Sequence, residues 1–446
     1  SEFINFEKKN NISSIDNFDQ ILLPFEIKLD TFQERILEQV ELSRLKGYHR
    51  NLIVSATGTG KTVMAAMDYL NLKERLARSR LLFIAHRAEI LRQARATFRH
   101  ALRDSSFGEL WVDGQKPSLF ENVFASIQSL SANDLELLDP SHFDVVVVDE
   151  FHHAEAPSYR ALLEHLKPQE LLGLTATPER SDGQDLLHWF DGRIAAELRL
   201  WDAIDNGRLV PFIYYGISDD LDYRALPWRR GSGYDVEGLS TLYTGNDVWA
   251  RKVIDALIRR VDSTDRMRAL GFCVSVNHAH FMARKFNEHY IKAIAISADT
   301  PRSEREGALR DLEAGRVNIV FSVDLFNEGV DVPKIDTLLM LRPTDSATLF
   351  LQQLGRGLRR SRQKSHCLIL DFVGLHRKEF RFDRRISGLL NGNRFQLVNQ
   401  IEAGFPYLPA GCHMEMDSVA AERIIENIKS SIPVSYTHLT LPTILL

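Results

Sequence analysis

The sequence reads as an α/β protein of two tandem domains, each a parallel sheet with helices on both faces. Short apolar runs rich in β-branched residues alternate with longer stretches of helical periodicity, the pattern of strands joined by crossover helices. This rhythm lapses near Asn206 and resumes after Asp247. A glycine-rich turn at residues 55–62 follows one apolar strand and opens a helix. At 446 residues the chain is long enough for two or three separate cores.

In chain order, the first half offers strand candidates at 52–55, 81–85, 122–125, 144–149 and 171–175, with helices between them, as at 87–100 and 158–166. The region from about Asn206 to Asp247 carries six glycines, Pro211 and Pro227, and reads as a connection. Its Trp228-Arg229-Arg230 is suited either to stacking on bases or to packing on a neighbouring surface. Strand candidates then resume at 270–275, 293–297, 317–322, 337–341 and 366–372, and residues 420–429 form an amphipathic helix. The expected organisation is an N-terminal remnant (1–24), a first domain (25–205), a connecting segment (206–250), a second domain (251–385) and a partial helical extension (386–432). Residues 433–446 are set aside, because Pro433 to Thr443 match an in-frame translation of a transposon sequencing adapter. A start at Ser1 without Met reads as a fragment or a cloning remnant.

Composition excludes several classes. Hydrophobic content of 44% and charged content of 26% are those of a globular chain, and no apolar run reaches the length of a membrane span. No signal peptide is recognisable. Cys273, Cys367 and Cys412 lie far apart with no CxxC pair, which argues against disulfides and zinc and fits a reducing cytoplasm. With a net charge of −5, any nucleic-acid surface must be local. The stretch from Gly355 to Arg385, with ten Lys/Arg against three Asp/Glu, is the candidate.

The chemistry concentrates in two segments. In Ser55-Ala56-Thr57-Gly58-Thr59-Gly60-Lys61-Thr62, consecutive backbone N–H groups at a helix N-terminus can cradle a polyphosphate. Lys61 would place a point charge on the β/γ-phosphates, and the Thr62 hydroxyl would complete a Mg²⁺ shell. The strict P-loop pattern has Gly where this chain has Ser55. Further on, Val145-Val146-Val147-Val148 forms a buried strand that delivers Asp149 and Glu150 at its carboxyl end, where parallel sheets bind ligands. Asp149 would hold Mg²⁺, and Glu150 would orient and deprotonate an attacking water.

With these segments and Asp149-Glu150-Phe151-His152, the chain resembles superfamily 2 helicases and translocases of the DEAD/DEAH-like, DExH group over residues 25 to 385. That resemblance implies two RecA-like domains, ATP and Mg²⁺ as cofactors, and nucleic acid as partner. Phe32-Gln33 resembles the upstream glutamine motif, implying that Gln33 reads the adenine edge. Ala85-His86-Arg87 is similar to the first nucleic-acid-contacting motif, and Ser126-Ile127-Gln128 to the next, which implies backbone contacts by Arg87, Ser126 and Gln128. Thr175-Ala176-Thr177-Pro178 resembles the motif that, with His152, couples hydrolysis to strand movement. Asn327-Glu328-Gly329-Val330-Asp331 is similar to the fifth motif, with Gly329 and Asp331 near the nucleotide. Gln352-Gln353-Leu354-Gly355-Arg356-Gly357-Leu358-Arg359 resembles the sixth, implying that Arg356 and Arg359 reach the γ-phosphate. Phe272-Cys273-Val274-Ser275 and Phe380-Arg381-Phe382-Asp383 look like the helicases with a C-terminal domain of unknown function, DUF3427.

The implied activity is ATP-driven movement along a phosphate backbone, with DNA favoured over RNA by the resemblance. Two other readings stay open: a motor subunit of a restriction or defence nuclease, and a nucleotide switch that does not unwind.

Overall fold

The computed structural model describes residues 27–130, 138–154, 156–176, 186–229, 233–324, 334–390 and 392–430. Contacts divide the chain into two compact units, and the division is not a simple halving. The first takes its described residues from Ser1–Pro211, Asp324–Ile335 and Leu351–Ser365, and the second from the remainder.

The first unit runs α1 (Thr31–Leu45), β1 (Arg50–Ser55), α2 (Lys61–Arg75), β2 (Leu81–Ala85), α3 (Ala88–Leu102), β3 (Glu109–Trp111), β4 (Asn122–Ser126), β5 (Val145–Val148), α4 (Pro157–His165), β6 (Glu170–Thr175), β7 (Ala196–Leu198) and α5 (Leu200–Asp205). Its seven strands form one parallel sheet in the order β3-β4-β2-β5-β6-β1-β7. Strands β2, β5 and β6 are buried along their whole length, as expected where helices cover both faces. Full burial of each valine of β5 is worth about 1.5–3 kcal/mol. Tyr69, Phe83, Phe98, Phe107 and Phe124 form an aromatic cluster against β2 and β4. At the amino ends of the strands, Arg44 binds Asp68 at 2.6 Å and Glu170 at 2.9 Å, all three side chains being nearly inaccessible.

The second unit runs β8 (Phe212–Asp222), β9 (Trp228–Arg229), β10 (Gly233–Tyr234), α6 (Val236–Thr244), α7 (Asp247–Ile258), β11 (Ala269–Phe272), α8 (Val276–Glu288), β12 (Ala293–Ile296), α9 (Arg302–Ala314), β13 (Ile319–Ser322), β14 (Thr337–Met340), α10 (Ala347–Gly357), β15 (Cys367–Leu375), α11 (Phe382–Leu390), α12 (Arg394–Glu402), β16 (His413–Met416) and α13 (Ser418–Ser430). From Leu351 onward, α10 groups with the first unit. The parallel sheet has the order β12-β13-β11-β14-β15-β8-β16.

All ten strands expected from the apolar runs are present, within a residue or a few at their ends. The stretch read as a connection is more ordered than its glycines and prolines imply. Its residues 212–222 form β8, held between β15 and β16. Trp228 packs rather than stands free: its ring meets Tyr234 edge-on at 4.7 Å and lies 6.1 Å from Phe380. The extension expected to be helical also supplies a strand, β16, at the edge of the second sheet.

Candidate active site

The phosphate-cradling turn sits where β1 hands the chain to α2. Gly60 has φ +85°, a left-handed conformation that a side chain disfavours, and a Cβ there would lie 2.6 Å from Gln33 Nε2. Ser55, the departure from the strict pattern, is fully buried. The Thr59 hydroxyl donates to the Ala56 carbonyl at 2.7 Å and lies 2.6 Å from Ser55 Oγ. The serine therefore braces the turn from below. Lys61 Nζ donates to the Ser55 carbonyl at 3.1 Å. Thr57 Oγ1 is buried and has no hydrogen-bond partner among the described residues.

Gln33 is tied at both ends of its amide. Its Oε1 accepts from the Asp30 N–H at 3.0 Å, capping α1, and its Nε2 donates to the Thr59 carbonyl at 3.0 Å. In this arrangement Gln33 braces the phosphate turn from α1.

Asp149 and Glu150 follow β5, and both are buried. The Asp149 carboxylate accepts from the Glu150 N–H at 3.0 Å. Glu150 adopts φ +49°, a left-handed conformation that disfavours a non-glycine residue by about 1–2 kcal/mol. Burial alone would raise the Glu150 carboxyl, but the Lys61 ammonium and the rings of His152 and His153 outweigh it and hold the group well below the usual carboxylate range. His152 Nδ1 lies 3.3 Å from Glu150 Oε2.

The segment bearing the two expected arginines closes on the same turn within the first unit. A Cβ on Gly355 would fall 2.4 Å from Thr57 Cβ, so only glycine permits this approach. Arg356 is buried, and Arg359 Cγ lies 3.1 Å from where a side chain on Gly58 would begin. Gln33, Thr57, Gly58, Thr59, Gly60, Lys61, Thr62, Asp149, Glu150, Arg356 and Arg359 thus line one cleft of about 520 Å³. Eleven of the expected catalytic and nucleotide-binding residues meet there. The hydroxyl of Thr62 and the carboxylate of Asp149 offer the oxygen donors that Mg²⁺ prefers, so this donor set fits the ion.

The expected nucleic-acid contacts lie at the carboxyl ends of strands in the first sheet. Arg87 is the N-cap residue of α3 and donates to His86 Nε2 at 3.2 Å and to the Asp324 carbonyl at 3.1 Å. Ser126 Oγ caps the short turn after β4 by accepting from Ser129 N–H, while Gln128 is exposed. Thr175 ends β6, fully buried. Thr177, Gly329 and Asp331 lie outside the described residues.

The basic stretch toward Arg385 is not a uniform surface. Arg385 is buried, pairs with Asp371 and sits 4.5 Å over the Phe350 ring. Arg381 and Arg394 both bind Asp383, at 2.6 Å and 2.8 Å. The expectation of an open basic face reaching Arg385 is corrected accordingly, because these charges are neutralised by carboxylates at contact distance.

Residues 26–180 match the family model described as "Type III restriction enzyme, res subunit", and residues 251–361 match "Helicase conserved C-terminal domain". Together these matches support a superfamily 2 helicase of the DExH-like group. The chain is 27% identical to the candidate ATP-dependent helicase IRC3 of Saccharomyces cerevisiae, over 78% of this chain and 51% of the yeast protein. It is 30% identical to the candidate mitochondrial ATP-dependent helicase irc3 of Schizosaccharomyces pombe, over 84% of this chain and 62% of that protein. Among solved structures, a fragment of a candidate HsdR subunit of a type I restriction enzyme from Vibrio vulnificus superposes with a TM-score of 0.60 at 25% identity, covering 83% of this chain and 68% of that one. The chain spans between half and two thirds of the length of the two yeast relatives. The narrower likeness to helicases with DUF3427 rests on sequence motifs alone.

Sequence reasoning missed Arg208 and Arg360, which line the cleft with Asp30 and Phe32. Arg208 lies in a glycine- and proline-flanked stretch that reads as a linker, so no motif marked it. Arg360 adjoins the sixth motif, and its basic run was the available signal.

Proposed function

We propose that this chain is the ATP-hydrolysing core of a nucleic-acid helicase or translocase, with DNA its track. The reading is carried by one observation: Arg356 and Arg359 share a cleft with Lys61, Asp149 and Glu150. Backbone N–H groups of the 57–62 turn and Lys61 would hold the phosphates. Glu150, kept ionised by the neighbouring cations, would take the proton of the attacking water. Charge building on the transferred phosphoryl would be met by Arg356 and Arg359, a contribution worth about 10³–10⁵ in rate in related chemistry. Thr62 and Asp149 would hold Mg²⁺, whose charge would offset that of the phosphates. Gly329 and Asp331 remain proposed contacts to the nucleotide. Arg87, Ser126 and Gln128 would touch the nucleic-acid backbone, with His152, Thr175 and Thr177 coupling turnover to movement. The wide spacing of the three cysteines supports a place in the cytoplasm.

The test is ATPase rate with and without single-stranded DNA, duplex DNA and RNA, each at two salt concentrations. Stimulation by DNA that fades with salt is the expected result. Turnover indifferent to every nucleic acid would favour a nucleotide switch instead. The match of residues 26–180 to a restriction-enzyme subunit model supports a second reading, the motor of a restriction nuclease. DNA cleavage by the full-length gene product, dependent on ATP, would select it.

A further inference from the structure

Within the first unit, the phosphate turn is gripped from two sides by residues that are themselves linked. On one side, Gln33 donates to the Thr59 carbonyl. On the other, Arg359 packs against Gly58. Between them runs the segment 207–210. Its Leu209 forms an antiparallel bridge with Arg359, its Val210 N–H donates to the Leu358 carbonyl at 2.8 Å, and its Gly207 carbonyl accepts from Arg360 at 2.8 Å. These three ties fix the backbone that carries Arg359.

Arg208, in the middle of this segment, turns its guanidinium to the start of α1. One nitrogen lies 3.3 Å from Asp30 Oδ1, another donates to Thr31 Oγ1 at 3.1 Å, and the group sits 4.9 Å from the centre of the Phe32 ring. Its Nε is buried with no hydrogen-bond partner among the described residues. A buried donor left without an acceptor disfavours the folded state by about 1–3 kcal/mol, so packing alone does not account for the placement. The result is a closed chain of contacts from Thr59 through Gln33, Phe32, Arg208, Leu209 and Arg359 back to Gly58.

We infer that Arg208 is a positioning residue for Arg359. By clamping the 207–210 segment to the first turn of α1, it holds the Arg359 backbone at the distance from the phosphate turn that hydrolysis requires. This inference rests on the ATP-turnover reading above. It predicts a loss in the chemical step rather than in nucleotide binding, because the clamp acts through Arg359.

The experiment is steady-state ATPase kinetics of the whole chain for Arg208→Ala, Arg359→Ala, the double variant and Asp30→Asn. Arg208→Ala should lower kcat about tenfold with KM for ATP within about twofold, the signature of an interaction made in the transition state. The double variant should lose no more than Arg359→Ala alone, since residues acting as a unit are not additive. Asp30→Asn removes the charge on an exposed partner and should lower kcat in the same direction, which keeps the test decisive where Arg208→Ala fails to fold. Raised KM with unchanged kcat, or losses that multiply in the double variant, would overturn the inference. Lys61→Ala serves as the separate control: if it retains turnover, the cleft is not the ATP site, whereas lost turnover there with normal kcat in both Arg208→Ala and Asp30→Asn defeats the clamp alone.

Discussion

Glu150 combines a left-handed backbone, near-complete burial and a carboxyl held ionised by Lys61, His152 and His153. Strain at such a residue persists only where its surroundings over-determine it, as at sites of chemistry. Replacing Glu150 with Gln keeps the shape and removes the base. ATP turnover should fall by at least about 10²-fold while nucleotide binding, followed by fluorescent ATP analogue titration, is retained. Lys61→Ala should abolish both turnover and tight binding. Arg356→Ala should reduce kcat more than ATP affinity, and a purely affinity-based defect would place Arg356 in binding rather than chemistry. That these three residues share one cleft was legible because each sits in a motif of fixed spacing, and their roles there are proposals. Arg208 was not, since nothing in a sequence shows which aromatic face a guanidinium will cover.

Two elements invite stability tests. The buried Arg44 joins α1 to Asp68 of α2 and Glu170 of β6. Arg44→Ala would strand two carboxylates away from water, and urea denaturation should show a loss of about 3–5 kcal/mol. In the second unit, Asp219 at the end of β8 accepts from the Tyr223 hydroxyl and the Leu221 N–H, yet burial pushes its carboxyl up to about 6. An acid raised in the folded state binds its proton more tightly there than when unfolded. Its contribution therefore turns against folding as pH climbs from near 4 to above 6, by roughly 3 kcal/mol. Asp219→Asn should raise the melting temperature at pH 8 and leave it little changed at pH 4.

At the same scale, sequence patterning found the central strands because parallel strands buried on both faces are continuous apolar runs. It missed β3 and β7, each three residues long and too short to show a period. It also missed β8, whose Gly216 and three aspartates mimic a turn-rich linker. There the polar residues are absorbed by specific partners: Tyr223 for Asp219, Lys252 for Asp220 and Arg224 for Asp222.

For the whole molecule, the expected signature is coupling between ATP turnover and a charged polymer. Turnover stimulated by duplex DNA should decline steeply between about 50 and 200 mM salt, because each neutralised phosphate releases counterions on binding. A salt-independent stimulation would argue against a backbone track. The interleaving of the chain carries a further consequence. The cleft draws on Ser1–Pro211 for its P-loop and acids and on Leu351–Ser365 for its arginines, with most of the second unit between them. Cutting the gene at any single codon between these segments, to express its halves separately, would deal the guanidinium groups to one product and the triphosphate cradle to the other. Activity would then return only when the two polypeptides were mixed.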